Sequence, residues 1–343
     1  MNDHRYVIIG AGAVGGAVGG LLARSGHDAL LVGRGAHGAA LVERGLLLRT
    51  PDGAFDIDVA AATGADEVRL SPRDVLVFAT KTHQLEAALH EWADRPVHDG
   101  DQVVGTAGEQ LPVLTALNGV AAEEMALRLF ARVFGVCVWM PAAHVTPGEV
   151  IVRSWPVAGQ FHIARWPAPL RSATDTKLLD VIAEQWTAAG IQIFRPDDVA
   201  PWKYNKLLSN LTNSVVALTG SYEGVGTVAD AVLAEGRAVL DRAGIDYVAQ
   251  ADADAARGEH LSMRPVPGTD GVVPNSTWQS LARNTGGVET DYLNGEIVRI
   301  AHRCGQTAPV NAGLARLARE AARNSWAPGK FSAAELEGML IHA

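Results

Sequence analysis

Two groups of residues in this 343-residue chain have the types and spacing to do chemistry. The first is Gly10-x-Gly12-x-x-Gly15, which ends the apolar run Tyr6-Val7-Ile8-Ile9. Gly10 permits a tight reversal, the bare backbone at Gly12 lets a pyrophosphate approach, and Gly15 lets the next helix lie close on its strand. Around Ala13 and Val14 that helix begins, offering unpaired N–H groups and a positive dipole end to the phosphates. The second group is Lys206, Asn210 and Ser214, spaced so that one helix face carries an amine, an amide and a hydroxyl. Among Leu207, Leu208, Leu211 and Val215, this stripe reads either as a cleft wall or as a snorkelling lysine with two surface polar residues. Glu289 falls in another acid-bearing helical segment, 288–295, where spacing alone reads it as a surface acid.

The elements that hold these groups follow from the hydrophobic pattern. Strands are predicted at 6–9, 29–32, 75–79 and 102–105, with helices at 14–24, 39–44, 84–92 and 111–117. A hairpin, 46–49 with 54–59, turns at Pro51-Asp52-Gly53. Such alternation builds a parallel sheet with helices on both faces. Residues 133–164 read as further edge strands of the same sheet, and from 199 to about 325 the period is helical. The expected fold is α/β: an N-terminal Rossmann-type dinucleotide-binding domain over 1–195 and an all-helical C-terminal domain over 196–343. Chemistry is expected in a cleft between the two.

Composition narrows the functional classes. At 48% hydrophobic residues the chain can bury a full core, and its length suits two domains. A net charge of −9, with no basic cluster, argues against a nucleic-acid partner. The apolar run at 7–23 is too short and too rich in glycine for a membrane span or a signal segment, so no membrane and a cytoplasmic location are expected. Cys137 and Cys304 read as buried thiols, and the scattered histidines lack metal-ligand spacing. The second strand ends Leu31-Val32-Gly33-Arg34. An NAD site would carry an acid there for the ribose hydroxyl, whereas Arg34 suits the 2′-phosphate of NADP(H). A solvated loop arginine is the alternative.

Across nearly its whole length the chain resembles the ketopantoate reductase (2-dehydropantoate 2-reductase) family. The resemblance is carried by GAGAVGG at 10–16 with LVGRGAH at 31–37, by Trp202-x3-Lys206-Leu207-x2-Asn210, and by Ser276 through Gln279 to GVETDYLNGEIVRIAHRCGQTAPVN at 287–311. It implies a 6-phosphogluconate-dehydrogenase-like pairing of Rossmann and helical domains. It also implies NADPH-dependent reduction of a small-molecule carbonyl, that of a 2-oxo acid such as 2-dehydropantoate, within pantothenate biosynthesis. A homodimer is one assembly open to such a chain. Residue by residue, Lys206 matches the catalytic lysine and Glu289 the glutamate of the catalytic cleft. Asn210 matches an active-site asparagine, Ser276 a substrate-binding serine, Lys81 the lysine near the nicotinamide, and Arg34 the arginine for the 2′-phosphate.

Three positions depart from the family pattern. An Asn-Gly turn is expected after strand 102–105, where Ala107-Gly108 stands, so that Ala107 offers the substrate a methyl in place of an amide. Gly224 and Val273 likewise occupy places where asparagine is expected. Each missing hydrogen bond would cost a ketopantoate hydroxyl or carboxylate about 0.5–1.5 kcal/mol. The losses point to a different carbonyl or imine in secondary metabolism as the alternative substrate. A non-catalytic NADPH-binding regulator is the third reading, against which the retention of both Lys206 and Glu289 stands.

Overall fold

The computed structural model describes residues 4–258, 260–269, 275–284 and 287–342. Two compact units emerge from its packing. A sheet unit takes the chain up to Leu117, then Ala121–Val199 and Ala251–Thr269; a helical unit takes Asn118–Val120, Ala200–Gln250 and the chain from Asp270.

The strands of the sheet unit, in chain order, are β1 (Arg5–Ile9), β2 (Ala29–Val32), β3 (Leu46–Thr50), β4 (Gly53–Ile57), β5 (Ala60–Ala62), β6 (Asp74–Phe78) and β7 (Pro96–Asp99). There follow β8 (Gln102–Thr106), β9 (Pro112–Thr115), β10 (Arg132–Trp139), β11 (Ala142–Ala143), β12 (Glu149–Val152), β13 (Gly159–Trp166) and β14 (Ile191–Phe194). Its helices begin α1 (Ala13–Arg24), α2 (Gly35–Arg44), α3 (Thr82–Ala93), α4 (Ala107–Gln110), α5 (Ala122–Ala126) and α6 (Ala173–Ala188). The main sheet has the order β14-β13-β10-β9-β6-β1-β2-β5. Strands β5, β2, β1, β6, β9 and β10 pair parallel in that order, and β13 then runs antiparallel to β10. The winding therefore reverses between β1 and β6, and in open α/β sheets ligands bind at the carboxyl ends of the strands beside such a reversal.

Both faces of this sheet are covered. Tyr6 and Ile8 of β1 enter a core with Ala17, Leu21 and Leu22 of α1 and Ile182 and Trp186 of α6. Val7 and Ile9 point the other way, against Leu85, Leu89 and Trp92 of α3. A second sheet, β11-β12-β3-β4, lies on the far side of α1. The repeated glycine pairs of α1 explain how one helix fits between two sheets. A Cβ on Gly19 would lie 2.3 Å from Leu31, which belongs to the main sheet; one on Gly16 would lie 2.8 Å from Val150, and one on Gly20 2.6 Å from Leu46, both in the second sheet.

Three expectations are corrected here. Residues 149–152 leave the main sheet, because Val150 and Val152 pack onto α1 while β12 pairs with β3. Residues 102–105 are also outside it: β8 pairs with β7 as a separate two-stranded ribbon, and Val103 is 60% exposed. The strand that enters the main sheet between β6 and β10 is β9, within the segment 111–117 expected to be helical. All four residues of β9 are buried. A short, wholly buried stretch has no period to separate strand from helix, and the sheet position decides.

The helical unit contains α7 (Ala200–Asn210), α8 (Asn213–Thr219), α9 (Gly226–Arg242), the start of α10 (Gln250–Arg257), α11 (Ser276–Ala282), α12 (Asn294–Arg303), α13 (Pro309–Arg323) and α14 (Ala333–Leu340). Its core joins Leu207, Leu208 and Leu211 to Val232, Ile297, Leu314 and Leu317. Against the expected border at 195/196, packing carries the sheet unit to Val199, whose Cγ1 would lie 2.8 Å from a Cβ on Gly135. Residues 251–269 also return to the sheet unit. There Gln160 Nε2 donates to Arg257 O at 2.8 Å, Arg264 N donates to Arg153 O at 2.7 Å, and the Arg257 guanidinium lies over the Trp139 ring at 4.1 Å. Cys137 is buried as expected, whereas Cys304 is exposed, because it caps α12 beyond the helix's last apolar residue.

Candidate functional site

In the sheet unit the glycine-rich turn is shaped by contacts that exclude side chains. Gly10 has φ +99°, in the region that favours glycine, and a Cβ there would lie 2.8 Å from Thr80 N. A Cβ on Gly15 would lie 2.2 Å from Gly10 O. Gly12 is different: nothing lies within 4 Å of where its Cβ would be. Two glycines are thus demanded by the fold itself, and the third opens onto space. Gly12 caps α1, whose first turn (Ala13, Val14, Gly15) carries no acidic side chain and whose cap has no side-chain hydrogen bond. The N–H groups there are the donors that a helix start leaves over for an anion. Beside the turn, the buried Thr80 Oγ1 has no hydrogen-bond partner among the described residues. The open face at Gly12, the helix start and the Thr80 hydroxyl together fit a pyrophosphate.

Lys81 follows β6 as the half-buried N-cap of α3, at the carboxyl edge of the strands. His83 lies two residues further on and is exposed. Arg34 caps α2 at the end of the second strand; its guanidinium is 66% exposed and pairs with Glu91 of α3.

The helical unit builds the second cluster from buried amides and hydroxyls. Lys206 is half-buried, one turn before Asn210 on α7. Asn210 is buried and donates through Nδ2 to Asn118 Oδ1 at 3.3 Å. Asn118 and Gly119 form the turn that follows β9. Gly119 has φ +82°, and a Cβ on it would lie 2.8 Å from Tyr292 O, at the end of the 3-10 helix Glu289–Tyr292. The turn therefore touches both the helix of Lys206 and the segment of Glu289. Glu289 opens that segment and is 7% exposed.

A largely buried polar network sets the same elements against one another. Ser214 Oγ donates to Asn294 Oδ1 at 3.0 Å and lies 3.1 Å from Thr290 Oγ1. Asn294 Nδ2 donates to Leu211 O and to Asn311 Oδ1, each at 3.0 Å. Asn311 Nδ2 donates to Glu235 Oε1 at 2.9 Å, and Glu235 also accepts from the backbone N–H groups of Val310 and Asn311 at the start of α13. Buried polar groups of this kind hold one geometry because every unmade bond is costly. The break between α7 and α8 is thus tied to Thr290, the neighbour of Glu289.

This geometry revises several expected site residues. Ser214 does not share a face with Lys206 and Asn210: α7 ends at Asn210, and the Ser214 side chain is buried in the network. Ala107 is 0% exposed in the core with Trp92, Leu111 and Phe130, so it offers nothing to a substrate. Its neighbour Gly108 is a packing residue, since a Cβ there would lie 2.3 Å from Leu129 O. An Asn-Gly pair does occur at Asn118-Gly119, after β9, the strand that enters the sheet. That pair is itself a strong turn signal after an apolar run. Ser276 is the half-buried first residue of α11, a helix that packs on α8. Gly224 is exposed at φ +69°, a conformation that asparagine also tolerates. Val273 lies outside the described residues.

Comparison with known proteins agrees with this architecture. The family model described as ketopantoate reductase PanE/ApbA matches residues 6–168, and its C-terminal counterpart matches 198–322. The chain is 26% identical over 315 residues to the 2-dehydropantoate 2-reductase of Pyrococcus horikoshii, covering 90% of this chain and 94% of that one. The enzyme of the same name from Pyrococcus abyssi is 27% identical over 320 residues. Among solved structures, a PanE/ApbA family ketopantoate reductase from Ralstonia eutropha superposes with a TM-score of 0.72 at 26% identity, covering 94% of this chain and 99% of that one. A D-mandelate dehydrogenase solved with NADH and anilino(oxo)acetate shares the fold, with a TM-score of 0.74 at 20% identity. With both halves matched by the family's own models, the chain belongs to the ketopantoate reductase PanE/ApbA family.

Proposed function

We propose that this protein is an NADPH-dependent reductase that delivers hydride to the carbonyl of a 2-oxo acid, with 2-dehydropantoate the first substrate to test. One observation carries the reading: Lys206 sits one turn from Asn210, Asn210 is bonded to Asn118, and the Asn118-Gly119 turn rests on the segment that Glu289 opens. An amine, two amides and a carboxylate are thereby held by elements that are locked to one another. The relatives' names and the pyrophosphate-shaped turn support the same conclusion.

A nicotinamide dinucleotide held by the Gly10–Gly15 turn, the start of α1 and Arg34 would supply the hydride. As the carbonyl carbon accepts it, negative charge grows on the oxygen, and the Lys206 ammonium both stabilises that charge and supplies the proton. Glu289 provides an acceptor for the amine or for a substrate hydroxyl. Asn118 and Asn210 offer neutral donors and acceptors to the remaining polar groups of the substrate. Read as the amide expected at Ala107, Asn118 leaves Gly224 and Val273 as the positions that favour a substrate other than ketopantoate.

Arg34 supports NADPH over NADH. Its pairing with Glu91 is largely exposed, and exposed pairs contribute only about 0–1 kcal/mol, so exchanging Glu91 for a 2′-phosphate costs little. Following NADPH absorbance with 2-dehydropantoate tests the activity directly. Lys206→Ala is expected to lower turnover at least about a hundredfold, the scale of a lost general acid. Near-normal turnover in that variant would refute the role of the lysine. Arg34→Asp is expected to weaken NADPH much more than NADH, and equal losses would rule out the 2′-phosphate contact.

A further inference from the structure

His37 joins the glycine-rich turn to a loop of the second sheet. On the first turn of α2, its Nε2 lies 2.7 Å from Ala11 O, and its Nδ1 lies 2.8 Å from Gly148 N. A carbonyl only accepts and a backbone N–H only donates. The ring must therefore be neutral, with its proton on Nε2. Ala11 is the residue between Gly10 and Gly12. In a trans peptide C=O and N–H point in opposite directions, so holding the Ala11 carbonyl toward His37 turns the Gly12 N–H away from it. A Cβ on Gly16 would lie 2.7 Å from Ala11 O, which closes the inner side of the same carbonyl.

We propose that His37 is a positioning residue for the dinucleotide: its neutral imidazole clamps the Ala11–Gly12 peptide to the 144–149 loop, and protonation opens the clamp. This rests on the dinucleotide reading of the turn. A second proton would sit on Nδ1 and face the Gly148 N–H, donor against donor, so the contact to Gly148 would be lost. The groups around the joint favour the neutral form. The His144 ring lies 4.0 Å from that of His37, centroid to centroid, and His144 Nδ1 donates to Glu149 O at 3.0 Å. Arg44 donates to Pro147 O at 3.2 Å, and the Glu149 carboxylate is paired with Arg49. Burial first, and His144 second, hold the His37 pKa below its ordinary 6.5. The clamp is therefore intact at neutral and higher pH and is lost as pH falls through that lowered value.

The test is calorimetric titration of the intact protein with NADP+ between pH 8 and pH 5, with melting curves run alongside. His37→Gln keeps an N–H donor within reach of Ala11 O but carries no titrating ring. At pH 8 it is expected to bind within about threefold of wild type, while His37→Ala binds about tenfold more weakly, the scale of the lost hydrogen bonds. On acidification the wild type is expected to lose affinity relative to His37→Gln by a similar factor; protonation of the ligand itself cancels in that ratio. Parallel pH profiles for wild type and His37→Gln would overturn the proposal, as would wild-type affinity in a folded His37→Ala. Should His37→Ala fail to fold, the ratio of the other two proteins decides. Absence of binding of both NADP+ and NAD+ by the wild type at every pH would instead overturn the dinucleotide reading itself.

Discussion

Around Gly12 the sheet unit shapes its site by leaving side chains out, so that helix and strand meet with gaps of a few ångströms at Gly15 and Gly19. Around Asn294 the helical unit does the reverse, filling its interior with amides and hydroxyls that satisfy one another. Both produce a rigid support, but they fail differently. The glycine contacts tolerate no added atom, whereas the amide network tolerates no missing one. The comparison also separates support from contact. In the sheet unit Gly15 is a packing residue and Gly12 faces open space; in the helical unit Asn294 is interior and Asn118 is half-buried.

The sharpest way to break the comparison is Asn294→Ala. It removes the partner of Ser214, Leu211 O and Asn311 at once, leaving several buried groups unpaired at about 1–3 kcal/mol each, with some relief from relaxation. A loss of about 3–4 kcal/mol in chemical denaturation is expected, and a loss under about 1 kcal/mol would show that the network is ornamental. Gly15→Ala comes next. Its methyl would meet the Gly10 carbonyl, and overpacking of this kind costs about 1–3 kcal/mol, so stability and dinucleotide affinity should fall together. Gly12→Ala is the smallest in stability and the most telling. Its methyl has open space and a φ of −69°, so denaturation should change by less than about 1 kcal/mol while NADP+ binding drops tenfold or more. Unchanged binding would mean that the pyrophosphate does not approach this backbone.

Much of this architecture was legible from residue pattern. The parallel strands near 6–9, 29–32 and 75–79, the helices after them and the close packing of the glycine helix all rest on local rules that the tertiary structure leaves intact. The failures cluster between 94 and 119, for a physical reason. Val103 and Val104 look like core but belong to an exposed ribbon, and the true fifth parallel strand is a buried tetrapeptide without periodicity. With 102–105 taken as the sheet strand the residues after it are Ala107-Gly108, whereas those after β9 include Asn118-Gly119. Asn118 was recoverable from its own dipeptide once the strand before it was recognised. Ser214 misled differently: its spacing from Lys206 was right for one helix, but the chain breaks at 211–212, and only the contacts of Thr290 and Asn294 reveal it as interior.

The return of residues 251–269 to the sheet unit has a practical meaning for anyone recombining members of this family. A cut after Val199 would strip Gln160 of Arg257 O and Arg153 O of Arg264 N, baring the Trp139 side of the sheet. Swapping halves between relatives therefore has to move 251–269 as well as the stretches up to Val199 with the nucleotide-binding portion, since its inventory is interrupted by that of its neighbour.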